Sequence, residues 1–251
     1  MSAFDDDAEG SSEREFEENL KRFENMLAGG ENYYFDADDL EEIIDYYLQW
    51  INYDLAKKAI DYGLERFPYS TIIKIRYAQY LSSQHYTREA LAILNEVEQI
   101  EQNNYELYMA RGYIYSQMGL GEQAIQNFKN AIPLSEHKDE VYVALGIEFL
   151  NEEKADDALY YLKKAIKLNP KNPVSYNYRG VAKGESKQFV EALKDFDYSI
   201  KLKYDYAAAF VNRAAVKFAS KDKHGACDDL NKADSLGDEM AIKLIETYCK
   251  H

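Results

Sequence analysis

A 34-residue period constrains this chain more than anything else in it. Taking Asp139 as position 1 of one period, alanine recurs at position 20 as Ala56, Ala90, Ala124, Ala158, Ala192 and Ala226. Position 8 is small in five of six periods (Ala78, Gly112, Gly146, Gly180, Ala214), with Ile44 the exception. Position 24 is bulky throughout: Ile60, Leu94, Phe128, Leu162, Phe196, Leu230. Position 4 holds Leu40, Tyr108, Tyr142, Tyr176 and Phe210, with Lys74 out of pattern. Two antiparallel helices come closest where neither carries bulk, so a small residue on each predicts a helix pair per period. Pro68 and Pro170, both at position 32, stop the second helix.

These residues resemble the tetratricopeptide repeat family, whose pattern has the same period. The fourth period carries the resemblance best, through Tyr142, Leu145, Gly146, Phe149, Ala158, Leu162, Ala165 and Pro170. The resemblance runs from about Ala37 to the C terminus and implies a multi-repeat array of bacterial type. The expected fold is all-α, a right-handed α-α superhelix of six helix-turn-helix repeats with an added N-terminal helix and a C-terminal capping helix. The repeats are placed at 37–70, 71–104, 105–138, 139–172, 173–206 and 207–240. A helix over 13–28 carries the stripe Phe16, Leu20, Phe23, Leu27 and stops at Gly29-Gly30. It is expected to cap the first repeat or, alternatively, to be a mobile arm that docks in a groove of its own chain or a neighbour's, with a linker to residue 36. Residues 1–12 are acidic with little to bury and are expected to lack structure. Residues 241–251 are read as the capping helix, polar outside through Lys243, Glu246 and Lys250.

Charge is uneven. Residues 1–45 hold sixteen acids against three bases, a net of −13 within a whole-chain −15. No basic footprint is available for nucleic acid or anionic lipid, so neither is expected as a partner. No apolar run approaches a membrane span, and the first residues lack a secretory pattern, so a cytoplasmic setting is expected. Cys227 and Cys249 form no metal motif and are expected to be reduced thiols. The 23 tyrosines are expected to fill the core.

Arginine at position 7 accompanies a polar residue at position 23: Arg111 with Asn127, Arg179 with Asp195, Arg213 with Asp229. Where position 7 is apolar, so is position 23. The two positions are therefore expected to touch across each helix pair. Lys183 and Lys217 replace the usual aromatic or aliphatic residue at position 11, and residues 171–232 have twelve bases against eight acids. They read as a solvated face or as a site for an acidic segment of another copy.

No nucleophile with a base, phosphate loop or metal cluster is visible, so no catalytic residue, cofactor or metal is expected. The resemblance implies that the inner face of the first helix in each repeat binds a partner. It places the groove on Ile75, Arg76, Gln79, Met109, Tyr113, Val143, Ile147, Asn177, Tyr178 and Val181. The carboxylate clamp of co-chaperone relatives is not matched in any three consecutive repeats. The expected function is a noncatalytic scaffold for a protein or peptide carrying apolar anchors. The alternative is an assembly subunit, a homodimer for example, that associates through its terminal helices.

Overall fold

In the computed structural model the backbone is described for residues 3–249 and side chains for residues 14–249. Lys250 and His251 lie outside the described residues, as does the expectation placed on Lys250. Every described regular element is an α-helix. Six pairs follow the period: α2 (Ala37–Gln49) with α3 (Tyr53–Arg66), α4 (Thr71–Ser83) with α5 (Thr87–Ile100), α6 (Tyr105–Gln117) with α7 (Gly121–Ala131), α8 (Lys138–Asn151) with α9 (Ala155–Leu168), α10 (Pro173–Glu185) with α11 (Phe189–Leu202), and α12 (Ala207–Ala219) with α13 (Lys223–Ser235). They are preceded by α1 (Ala3–Leu27) and followed by α14 (Glu239–Tyr248). The chain forms two compact units, Met1–Ile114 and Tyr115–His251, divided within α6.

Each small residue has a structural cause. All six alanines at position 20 have no exposed surface. A Cβ added to Gly146 would lie 2.5 Å from Leu162 Cγ, and one added to Gly180 would lie 2.8 Å from Phe196. Position 24 of the second helix thus rests directly on position 8 of the first.

The turn inside each pair is the same in all six. Position 15 adopts a left-handed backbone: Ile51, His85, Gly119, Glu153, Lys187 and Lys221 have φ between 56° and 70°. The next N–H donates back to the carbonyl of position 11, as in Asn52 to Tyr47 (2.8 Å) and Asp222 to Lys217 (2.8 Å). The N–H of position 15 reaches position 12, as in Lys187 to Gly184 at 2.9 Å. This is the Schellman arrangement, which satisfies the last carbonyls of the first helix. Glycine relieves the left-handed strain only at Gly119, and Ile51 bears it with a β-branched side chain.

In the N-terminal unit, three of the four stripe residues of α1 pack against the core. Phe23 is fully buried with Ile43, Ile44 and Ile60, and Phe16 and Leu20 pack beside them. The stripe is shifted at its end: Leu27 is exposed and Met26 takes the packing role. Phe35, assigned to the linker, is fully buried and meets Phe23 edge-on at 5.9 Å. The helix begins at Ala3, so its backbone runs through the segment expected to lack structure.

The tyrosines correct another expectation. Among the described tyrosines Tyr47 alone is buried, while Tyr34, Tyr69 and Tyr204 are at least three-quarters exposed. Most others sit at the rim as ring pairs, such as Tyr176 with Tyr198 at 4.5 Å. The phenol explains this, because its hydroxyl favours the wet end of a packing site.

The cysteines are also corrected. Cys227 in α13 and Cys249, just past α14, form a disulfide with Cα atoms 5.8 Å apart. A separation of 22 residues gave no hint of the pairing, because only the antiparallel return of α14 along α13 brings them together. A loop of that size contributes about 3 kcal/mol in the chain-entropy account.

Candidate functional site

The inner faces of the two units differ in kind. In the N-terminal unit the central group is Arg76 on α4, 8% exposed. Its Nη1 donates to Glu106 Oε2 at 3.0 Å and its Nη2 bonds Glu41. Its Nε lies 2.6 Å from Asp45 Oδ1, an ion contact outside hydrogen-bond geometry. Burial pushes the Glu41 and Asp45 carboxyls above their ordinary range despite Arg76. Three carboxylates therefore share one guanidinium.

In the C-terminal unit the same face is apolar and hollow. A trough of about 610 Å³ lies over α12 and α14. Val211, Ala215, Phe218 and Ala219 of α12 form its floor, and Met240, Leu244 and Tyr248 bring in α14. Asn212 is its polar side chain of note. A second hollow of about 270 Å³, lined by Val181, Gly184 and Phe189, shares Asn212, Ala215 and Ala219 with the first. The two therefore lie side by side along α12. The Asn212 amide donates to Asn177 Oδ1 at 3.1 Å, and the Asn177 amide donates to the Tyr206 hydroxyl at 3.4 Å. Burial pushes the Tyr206 phenol up to about 12, so it serves as a neutral hydroxyl.

The ten residues expected in the groove separate clearly. Ile75, Val143 and Asn177, all at position 5, are buried at 0%, 8% and 1% exposure. Ile75 packs with Ala78, Leu107 and Ala110. In these three repeats position 5 thus faces neighbouring helices, whereas Val211, the same position in α12, lines the trough; Arg76 is engaged by its carboxylates. Gln79, Met109, Ile147, Tyr178 and Val181 are half-buried and Tyr113 is exposed. Of the ten, none lines the trough, and Val181 lines the smaller hollow beside it. Sequence reasoning missed Phe218, Met240 and Leu244. Tyr248 was the available signal, since it stands at a register position that is small in five of the six repeats.

The paired positions 7 and 23 meet in two of three cases. Arg179 donates to both oxygens of Asp195 (2.8 and 2.6 Å), and Arg213 does the same to Asp229 (2.8 and 2.5 Å). Lys183 and Lys217 complete each group at 2.6 and 2.8 Å from the same aspartates. These lysines are therefore neither a solvated face nor open to an acidic segment. Arg111 departs from the expectation. It turns back to α5, to Asn95 Oδ1 at 2.6 Å and Glu98 Oε2 at 2.8 Å, while Asn127 donates to Gln123 O. A carboxylate outcompetes a neutral amide as acceptor. The bond from Arg111 lowers the pKa of Glu98.

Among the described residues no group of three His, Cys, Asp or Glu is arranged to hold a metal ion. No described helix is long and apolar enough to cross a membrane.

A tetratricopeptide repeat family model matches residues 161–194. No curated protein matches the chain by sequence. Among solved structures, the chain is similar to YrrB, described as a TPR protein with an unusual peptide-binding site, at 22% identity and TM-score 0.54, covering 75% of this chain and 98% of YrrB. It is similar to pilF of Pseudomonas aeruginosa at 18% identity and TM-score 0.67, covering 84% and 96%. It also matches a chain of the Cut9–Hcn1 assembly at 16% identity and TM-score 0.75, over 92% of this chain and 46% of that one. At these identities the likeness is one of fold. Residues 161–194 thus match the tetratricopeptide repeat family, and the chain has the fold of a tetratricopeptide repeat array.

Proposed function

We propose that the chain is a noncatalytic scaffold that binds a peptide or helix of a partner protein, and that the partner seats apolar side chains in the trough of α12 and α14 and in the smaller hollow beside α10. The observation that carries the reading is the trough itself: about 610 Å³, walled by aliphatic and aromatic side chains, with Ala215 and Ala219 open to solvent. Pockets of this size and lining suit one or two large apolar anchors, and amide groups such as Asn212 suit a peptide backbone. The peptide-binding description of YrrB supports the same class of ligand. The rest of the groove expected from sequence enters as secondary contacts through Ile147, Tyr178 and Val181, which are only half-buried.

A peptide selected from a random library on the purified protein tests the reading. Val211→Glu and Ala215→Glu are expected to weaken its binding at least tenfold, since each places a charge on the apolar floor. Unchanged affinity in both would remove the trough from the function.

A second reading, self-assembly through a terminal helix, has support at α14, where Met240 is 63% and Ile242 47% exposed. The described part of α1 gives it none, because Phe16, Leu20 and Phe23 are engaged in their own unit. Light scattering on Met240→Lys would detect the loss of such a dimer. The disulfide bears on the compartment under either reading. Bonds of this kind persist in oxidising settings and are reduced in the cytosol, so a cytoplasmic setting implies the dithiol form.

A further inference from the structure

We propose that the Cys227–Cys249 disulfide gates the trough, which is complete only while that bond is closed. The inference rests on the trough reading above and adds its regulation. Met240, Leu244 and Tyr248, all on α14, supply a share of the trough lining. Besides the disulfide, α14 is held by a narrow face packed on α12 and α13. Ala241 is its one buried residue, and Met240, Ile242 and Tyr248 are each about half exposed or more. Leu244, Ile245 and Cys249 are only partly buried against the α12–α13 core. The Tyr248 ring meets Phe218 at 5.6 Å, and Asp238 caps the helix by accepting from the Ala241 N–H at 2.9 Å. A ten-residue helix is marginal without tertiary support.

The bond is also within reach of a reductant, because both cysteines are partly exposed. A thiolate of an external dithiol, of the thioredoxin class or dithiothreitol, attacks one sulfur. The Cys227–Cys249 bond breaks, a mixed disulfide forms, and the departing thiolate takes up a proton. The second thiol of the reagent, deprotonated, then attacks the mixed disulfide and releases the other cysteine as a thiol. Two electrons pass from the dithiol to the protein, and the reagent leaves as its own disulfide. With the tether gone α14 detaches, and the floor of Val211, Ala215 and Phe218 loses the wall that closes it.

Two measurements on the full chain test this. Hydrogen exchange over residues 239–248 is compared in the oxidised protein, the dithiothreitol-reduced protein and the Cys227→Ser/Cys249→Ser variant. Exchange at least tenfold faster in the latter two, with α8 to α11 unchanged, is expected. Affinity for the library-selected peptide is then measured on the same three samples, and a tenfold or greater loss without the disulfide is expected. Equal exchange of α14 in all three samples would overturn the proposal whatever the peptide does. Released α14 with undiminished peptide affinity would overturn it too. If instead Ala215→Glu binds the peptide normally while α14 still detaches on reduction, the trough reading fails and the release of the helix stands.

Discussion

The two units bury charge in opposite proportions. In the N-terminal unit the buried cation Arg76 is surrounded by Glu41, Asp45 and Glu106, and Arg111 is buried as well. In the C-terminal unit one buried anion, Asp195 or Asp229, is surrounded by an arginine and a lysine. In both, the group with the fewest copies lies deepest and its partners reach towards water. Arg76 is 10% exposed at its side chain against 48% for Asp45, and Asp195 is 7% against 20% for Arg179. The location differs too. The Arg76 cluster occupies the inner face itself, whereas the aspartate groups lie between the helices of a pair and leave the inner face free to be apolar. A binding hollow is therefore compatible with the second arrangement and is displaced by the first.

The sharpest way to break this comparison is to delete each central ion. Arg76→Ala leaves three carboxylates facing one another and should cost about 4 kcal/mol at pH 7, read as a loss of Tm. The defect should shrink on acidification. Glu41 and Asp45 already have raised folded-state pKa values, so the folded protein takes up protons before the unfolded chain does, and stability gained from them rises as pH falls through the carboxylate range. Asp195→Ala should cost about 3 kcal/mol, because it strands Arg179 and Lys183. That loss should not be relieved at pH 5, since both cations keep their charge. A Tm deficit with the same pH profile in both variants would mean that the clusters do not differ as described.

Two smaller effects sharpen it. Ile51→Gly removes a β-branched residue from a left-handed turn and should stabilise the N-terminal unit by about 1 kcal/mol in denaturant unfolding. Lys187→Gly, at the same turn in the C-terminal unit, should gain less, because its side chain is unbranched. Glu41→Gln should raise stability at pH 7 by less than about 1 kcal/mol, since ionised Glu41 is disfavoured by burial and by Asp45 and Glu106. A loss of stability there would show that all three carboxylates are needed by Arg76.

Most of the fold was legible in the sequence because it is written in volume. Ala158, Gly146 and Leu162 must have those sizes to let two helices cross, and size repeats openly along the chain. The site was less legible because one helix face serves two purposes. Position 5 looked like ligand surface throughout, yet Ile75 and Asn177 turn to the neighbouring helices while Val211 lines the trough. The trough owes its hollow to Ala215 and Ala219 beside Phe218, and its wall to α14, which the register presented as a closing helix. The disulfide and the return of Arg111 to Glu98 were invisible for another reason. Each depends on which acceptor or sulfur a fold brings near, and spacing carries no record of that.

The Schellman turns also bear on what length changes the chain tolerates. Each fixes the separation between the two helices of a pair through bonds counted residue by residue, so one inserted residue there would rotate the second helix by about 100° and turn its alanine away. The stretch between α7 and α8 obeys no such count. Pro133 ends α7 early, and residues 132–137 pass to α8 without a left-handed residue. A tag, a protease site or an inserted domain belongs in that stretch, and the chain has no comparable place for one within any of its helix pairs.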